Sequence, residues 1–193
     1  SPRTGYHIDF SSYGPTSDWR IKPDVVALGE VVVNDVRGIY NVEGTSFSAP
    51  LVTGFIACLM ESDSTLNNME MIEKVKKSSS LYPYYDYAHG YGVPQADIFF
   101  NEKSSPKRTF NFVKTKNDIY IEIMNKVNTF NNKLIYFHLR DDSDSNRLRY
   151  YSVLNVYENY FKILDLYDVM KGSVLMVHYD GFTDSIVLDY EEE

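Results

Sequence analysis

The sequence predicts a chain of two parts, an α/β segment over residues 1–101 and an all-β sandwich over residues 109–193. Two observations predict this division. Apolar residues recur every three to four positions in much of the first part, as in helices that bury one face, and every second position in most of the second part, as in half-buried strands. Residues 102–108 between them are all polar apart from one proline, which is typical of a linker.

The first part alternates extended and helical segments. Residues 25–33 form an apolar, β-branched run that predicts a strand. Helices are predicted from about Ser46, over residues 69–77 and from Pro94 toward Phe100. This alternation is typical of an α/β fold with a parallel sheet.

The second part predicts about seven short strands. Turn signals at residues 116–118, 131–132 and 180–181 separate several of the alternating runs. That number of short strands fits an antiparallel sandwich of immunoglobulin-like or jelly-roll type. The predicted strands cover residues 109–114, 118–124, 133–140, 147–154, 159–164, 173–179 and 185–190.

Composition narrows the function classes. The chain is 44% apolar and 15% aromatic, which is enough for genuine cores. Its net charge of −8, without a basic stripe, argues against a nucleic-acid partner. No apolar run reaches the length of about 18 residues that a membrane span needs. The single cysteine, Cys58, cannot form an internal disulfide and is expected to be a small buried residue.

The most informative stretch is residues 44–54, Gly-Thr-Ser-Phe-Ser-Ala-Pro-Leu-Val-Thr-Gly. It predicts a serine, Ser46, in the first turn of a helix, where backbone N–H groups have no intrahelical partner and the helix dipole is positive. Gly44 leaves room for a ligand backbone, Thr45 completes the motif, and Pro50 is expected in about the first turn. A serine hydroxyl at such a place can act as a nucleophile if a base lies beside it.

The helix that follows carries an apolar stripe, which predicts burial along one face. Gly54 in the same helix predicts close packing against a neighbour. An ordinary core helix with a Thr or Ser cap is the alternative interpretation. The stripe consists of Ala49, Val52, Ile56, Leu59 and Met60.

These residues resemble the serine signature of the subtilisin-like serine proteases, the subtilases or peptidase S8 family. Residues 10–15 and 21–27 are similar to the Phe-Ser-Ser-x-Gly-Pro and Lys-Pro-Asp-Val-x-Ala runs that precede that serine, although Leu28 replaces the usual proline. Residues 90–96 are similar to the Gly-x-Gly-x-x-x-Ala run that opens the last helix of the catalytic domain. The motif is not a Gly-x-Ser-x-Gly elbow, because Ser48 stands where its second glycine would be.

The resemblance implies an endopeptidase that acts through an acyl-enzyme, with Ser46 as nucleophile. In subtilases the catalytic Asp and His precede the serine, and residues 1–45 contain nothing similar to their motifs. The chain is therefore expected to be the C-terminal part of a catalytic domain plus a β-domain, with the Asp and His upstream, and to be inactive alone. The alternative is a non-catalytic β-sandwich docking module of a protease, which could itself be degenerate.

The resemblance also implies partners and a location. Protein or peptide substrates are expected, together with either the upstream part of the catalytic domain or an oligomer partner to cover the apolar helix. The family is mostly exported, so a secreted, periplasmic or cell-surface location is expected.

Other features are weaker. Residues 142–146, Asp-Ser-Asp-Ser-Asn, could hold calcium, but Arg147 and Val153 do not fit an EF-hand loop, and a solvated hairpin loop is the preferred interpretation. No metal ligands and no cofactor are therefore assigned. The many tyrosines after residue 109 could stack on sugars, although strand packing is the commoner role. The four histidines, His7, His89, His138 and His178, are assigned no chemistry.

Overall fold

The computed structural model describes residues 1, 4–101, 106–125, 133–141, 147–167 and 169–189. The chain divides into two compact units, an N-terminal unit of Ser1–Glu102 and a C-terminal unit of Lys103–Glu193. The described residues form three helices and three antiparallel sheets, so the protein is mostly β. No described helix is both long enough and apolar enough to cross a bilayer.

Two strands of the N-terminal unit pair with each other. Strands β1 (Glu30–Asp35) and β2 (Gly38–Glu43) form an antiparallel hairpin, in which Gly38 has a φ of 112°. The parallel sheet predicted for this unit is not present in the described residues. The sequence Asp35-Val-Arg-Gly38 contains a tight turn that lets the strand fold back on itself, and a parallel pair would need a long crossover instead.

The predicted helices are present. They are α1 (Thr45–Ser62), α2 (Asn68–Lys77) and α3 (Ala96–Phe100). Helix α3 begins two residues later than predicted, at Ala96 instead of Pro94. Helix α2 begins with a capping box, because Asn67 accepts the N–H groups of Met69 and Glu70 while the Glu70 carboxylate accepts the N–H of Asn67. Buried residues of the three helices form one small core: Leu59, Met71, Val75 and Phe99.

Helix α1 is less buried than predicted. Of its apolar stripe, Leu59 is buried and Val52 and Ile56 are half-buried, but Ala49 and Met60 are exposed. The Gly54 prediction is wrong, since nothing lies within 4 Å of the position that a Cβ would occupy there. Cys58 is also exposed, not buried. The physical reason is that only the side of α1 that carries Phe55, Ile56 and Leu59 packs against the small core, so most of its other positions stay exposed.

A glycine-containing turn holds the N-terminal unit together. Tyr91 donates its N–H to the Asp24 carbonyl at 2.9 Å, and Val26 donates to the Gly92 carbonyl at 3.0 Å. Gly90, with a φ of 54°, lies so close to the 23–24 backbone that a Cβ would come within 2.1 Å of the Pro23 carbonyl oxygen.

The C-terminal unit contains seven described strands in two antiparallel sheets. The first sheet has the order β3 (Phe110–Lys114), β4 (Asp118–Ile123) and β7 (Tyr160–Asp165). The second has the order β6 (Leu148–Asn155), β5 (Leu134–Arg140), β8 (Ser173–Tyr179) and β9 (Phe182–Leu188). Strand β9 begins three residues earlier than predicted, because Asp180 and Gly181 both have positive φ and close a two-residue hairpin.

Both sheets contribute to one hydrophobic core. In β4 every second residue is buried, so that one face of the sheet turns inward and the other outward. The main members of the core are Phe110, Ile119, Ile121, Ile123, Ile163, Ile135, Phe137, Leu139, Leu175, Val177 and Leu188.

The two glycines Gly54 and Gly90 give a matched test of this packing. Gly54→Ala should stabilise the N-terminal unit by about 0.5–1 kcal/mol, because alanine has the higher helix propensity and meets open space. Gly90→Ala should destabilise it by about 2 kcal/mol or more, since its Cβ would overlap the backbone. Urea unfolding followed by fluorescence of the single tryptophan, Trp19, measures both; a destabilising Gly54→Ala would contradict the exposed position of α1.

Candidate active site

The position of Ser46 is fixed by the backbone just before α1. Gly44 is the N-cap of the helix; its N–H donates to the Gly29 carbonyl at 2.8 Å, and its own carbonyl accepts the N–H of Phe47 at 3.1 Å. Ser46 is thus the second residue of the helix, and its side chain is exposed. Its predicted position in the first helical turn matches that in the structure.

The surroundings of Ser46 favour negative charge. The N–H groups of the first helical turn have no i−4 carbonyl, and the first turn of α1 contains no acidic side chain to offset the helix dipole. Pro50 lies inside α1, about one turn in from Thr45, close to its expected position. Proline has no N–H, so the Ser46 carbonyl receives no helical hydrogen bond from that position.

A general base for Ser46 is missing from the described residues. The Ser46 hydroxyl makes no hydrogen bond to a histidine or to any other side chain in the described ranges. Gly44 lies beside it, with the position of a Gly44 Cβ 3.0 Å from the Ser46 Oγ. The described residues therefore present an exposed serine hydroxyl and helix N–H groups, without a hydrogen-bonded proton acceptor of the kind that activates a serine.

A cavity of about 310 Å³ adjoins the start of α1. Thr45 and Ser48 line it from the helix, and Phe10, Val26 and His89 are among the residues on its other sides. Ser46 is not part of this lining. The cavity walls are mainly apolar, with imidazole and hydroxyl groups as the polar exceptions.

A buried carboxylate positions His89 at the cavity wall. Asp86 is fully buried, and its two oxygens lie 3.1 Å from the Nδ1 of His89. The same carboxylate accepts the N–H groups of Ala88 at 2.8 Å and His89 at 2.6 Å, and the Tyr84 hydroxyl at 3.2 Å. Burial alone would raise the pKa of Asp86, but the hydrogen bonds and charge of His89 and the backbone N–H groups lower it below its ordinary value.

His7 lies close to this pair. Its ring stacks on Tyr13 at 4.1 Å between centroids and meets the His89 ring edge-on at 6.2 Å. Burial lowers the pKa of His7, and the backbone of Ser12 opposes this effect. Protonating His7 therefore costs folding free energy as the pH falls through the ordinary imidazole range of about 6.5.

Sequence reasoning missed the Asp86–His89 pair. A three-residue separation is common and says little outside a helix, but the local sequence Asp-Tyr-Ala-His-Gly, ending in a glycine that takes positive φ, signals a turn that the aspartate can cap. The other two histidines lie in the C-terminal unit, where His138 is fully buried on β5 and the Nδ1 of His178 lies 2.7 Å from the Thr183 hydroxyl.

The candidate calcium loop, residues 142–146, falls outside the described residues. Within the described ranges, no cluster of three or more His, Cys, Asp and Glu side chains could hold a metal ion. The absence of metal ligands and cofactors remains a prediction from the sequence.

A serine exposed at the start of a helix lies in one compact unit with the Gly-Pro, Lys-Pro-Asp and Gly-x-Gly segments, a combination that is typical of one class of serine protease. Residues 3–92 match the sequence profile of the Subtilase family, Peptidase_S8, and this part of the chain is therefore similar to the subtilisin-like serine proteases.

Curated relatives agree with this assignment. The chain is 28% identical to a C5a peptidase of Streptococcus pyogenes over 142 residues, covering 61% of this chain and 12% of that protein. It is 34% identical over 84 residues to a PII-type proteinase of Lactococcus lactis subsp. cremoris, covering 42% of this chain and 4% of that proteinase. The chain thus spans about an eighth or less of these relatives. No solved structure matches it.

The Asp86 carboxylate leads to a pH prediction. Because its pKa is lower in the folded than in the unfolded chain, its stabilisation is fully present above the unfolded value of about 3.9 and is lost as the pH falls through the folded value. Asp86→Asn should cost about 2–4 kcal/mol at neutral pH, and this cost should shrink as the pH falls from about 5 to about 3.

Urea unfolding monitored through Trp19 at several pH values measures this cost. Asp9→Asn, at an exposed carboxylate of the same unit, is the matched control and should change stability by no more than about 0.5 kcal/mol. A cost for Asp86→Asn that stays constant down to about pH 3 would contradict the ionised state of Asp86.

Proposed function

We propose that the chain supplies the nucleophile-bearing part of a subtilisin-like serine endopeptidase, with Ser46 as the nucleophile. The observation that carries this proposal is the exposed Ser46 hydroxyl in the first turn of α1, inside the segment that matches the family profile. Gly44 and Thr45 belong to the same motif, and the Gly29–Gly44 hydrogen bond supports its geometry.

The proposed reaction is acyl transfer. The Ser46 Oγ attacks the carbonyl carbon of a peptide bond while a histidine takes its proton, and the backbone N–H groups at the start of α1 stabilise the oxyanion. The histidine then protonates the leaving amine, and water releases the acyl group. Histidine and its orienting aspartate come from polypeptide upstream of residues 1–193 in this proposal, since Ser46 has no histidine partner in the described ranges.

The surface of α1 supports a need for further polypeptide. Leu51 and Met60 are 49% and 43% exposed, and Leu51 lines an apolar groove of about 200 Å³ together with Leu28 and Phe55. Apolar surface of this kind favours association. We assign it to contact with the upstream part of the catalytic domain or with an oligomer partner. In that setting the N-terminal unit is the closing part of an α/β catalytic domain.

The substrate class and location follow from the same proposal. Relatives that are named peptidase and proteinase support a protein or peptide substrate for this chain. A secreted, periplasmic or cell-surface location is proposed on the family resemblance. The two sheets with a common core support a sandwich of immunoglobulin-like or jelly-roll type for the C-terminal unit.

A second candidate is a non-catalytic docking module of a protease. The missing base around Ser46 favours it, because a serine without a base is a poor nucleophile at neutral pH. The C-terminal unit, with its own two-sheet core, would then be the functional part.

Fluorophosphonate labelling tests the catalytic proposal. The 193-residue chain alone should remain almost unlabelled, because losing triad members reduces kcat by roughly 10⁴–10⁶ in this class of enzyme. The polypeptide extended by its upstream coding sequence should label stoichiometrically and hydrolyse casein.

Two variants assign that activity. Ser46→Ala in the extended polypeptide should abolish both labelling and hydrolysis, by a factor of about 10⁴ or more. Ser62→Ala, a serine in the last turn of the same helix, should leave both unchanged. Stoichiometric labelling of the 193-residue chain, or hydrolysis that survives Ser46→Ala, would overturn the proposal.

A further inference from the structure

We propose that the outer face of the sheet β3-β4-β7 binds a neutral polysaccharide. The surface consists of Arg108, Asn111, Tyr120, Glu122 and Tyr160, and is called the tyrosine face below. It lies wholly within the C-terminal unit, and the proposal does not depend on the catalytic role of Ser46.

Strand alternation places these side chains together. The buried Ile119, Ile121 and Ile123 of β4 point into the core, so Tyr120 and Glu122 point outward. On the neighbouring strands, Asn111 and Tyr160 are both register partners of Glu122. The outward side chains of three adjacent strands therefore form one continuous row.

Two tyrosine rings dominate the face. Tyr120 and Tyr160 are stacked, with ring centroids 5.0 Å apart and ring planes within 10° of parallel. Tyr160 remains 47% exposed and Tyr120 is partly exposed. Neither hydroxyl makes a hydrogen bond within the described ranges. This stacked aromatic pair therefore leaves part of its surface exposed on the outer side of the sheet.

Planar polar groups continue the row beside the rings. The Asn111 amide donates to the Glu122 carboxylate at 3.3 Å, and its oxygen accepts from the Arg108 guanidinium at 3.3 Å. Each group keeps spare hydrogen-bonding capacity, since a carboxylate accepts about four bonds, an amide can make four and a guanidinium donates five. Such groups can pair with two adjacent hydroxyls at once.

The charges on and around the face favour an uncharged ligand. Arg108 is paired with Asp184 at 3.2 Å. Lys162, on the same side of β7 as Tyr160, contacts Asp165 at 2.7 Å and Asp118 at 3.5 Å. Both cations are therefore compensated, Glu122 adds a negative charge, and the chain carries a net charge of −8. An anionic polymer or an anionic membrane would be repelled.

A pyranose polymer matches this combination. Its axial C–H groups form an apolar face that can lie on an aromatic ring, while its equatorial hydroxyls reach to the sides, where planar amide and carboxylate groups can bind them. The face is also held in place before binding: the Asn159 side chain, next to Tyr160, donates to the carbonyls of Ile123 at 3.0 Å and Asn125 at 2.8 Å. Ordering the site beforehand lowers the entropic cost of binding.

Affinity electrophoresis of the 193-residue chain tests the proposal. Native gels contain one neutral polymer each, namely β-glucan, xylan, mannan or dextran, and counter-probes are dextran sulfate and phosphatidylglycerol vesicles. At least one neutral polymer should retard the chain. Tyr160→Ala should weaken binding about tenfold, as expected for losing one aromatic contact. Tyr160→Phe should remain within about threefold of the parent, since it keeps the ring.

Control variants separate binding from folding. Tyr167→Ala removes a tyrosine that is 78% exposed outside the tyrosine face, and it should bind as the parent does. Glu122→Ala changes an exposed side chain without touching the core, and it should weaken binding about fivefold even if Tyr160→Ala fails to fold. Retardation by no neutral polymer, equal binding by the Tyr160→Ala and Glu122→Ala variants and the parent, or binding only to the anionic probes would each overturn the proposal.

Discussion

The N-terminal unit depends on one buried carboxylate. Asp86 accepts hydrogen bonds from two backbone N–H groups and from the Tyr84 hydroxyl, and its oxygens contact the His89 ring, so its negative charge is compensated although it is fully buried. These bonds fix the turn that ends at Gly90, and the two residues that follow it, Tyr91 and Gly92, make the hydrogen bonds to Asp24 and Val26. The same segment continues to Gly29, whose carbonyl accepts the N–H of Gly44, the N-cap of α1. The position of Ser46 therefore rests on a contact that lies 40 residues further along the chain.

Local signals in the sequence were enough to place the helices and the strands of the C-terminal unit. Ser46 was found because a helix start needs particular residues at neighbouring positions, and the strands because alternation has a period of two. The chain divides into two compact units close to the predicted linker. The assignment of these units to a catalytic domain and a β-sandwich module stays a prediction.

Non-local features could not be found in the same way. A run such as residues 25–33 is apolar whether it pairs in parallel, pairs in a hairpin or stays extended, and only its partner decides which. The apolar stripe of α1 likewise shows that a face can be buried, but not that a neighbour is present, so Ala49, Gly54 and Cys58 were all predicted to be more buried than they are. The Asp86–His89 pair was missed because its meaning comes from complete burial, which no local pattern reveals.

Within the described residues, the two units differ in the size of their hydrophobic core clusters, and this difference bears on function. In the C-terminal unit, both sheets cover one core, and the stacked rings of Tyr120 and Tyr160 lie on an outer sheet face, away from that core. In the N-terminal unit, exposed apolar side chains include Leu51 and Met60 on α1, and the three helices share a core cluster of only four buried residues. The tyrosine face belongs to a sheet whose other side is already buried in a core, so we explain its exposed rings by a bound ligand. The exposed Leu51 and Met60 lie beside a small core, so we explain them by contact with further polypeptide. Under the proposed function, the lack of a hydrogen-bonded base for Ser46 among the described residues and the exposed apolar side chains of α1 have one explanation, because a single additional segment of polypeptide would supply both the base and the cover.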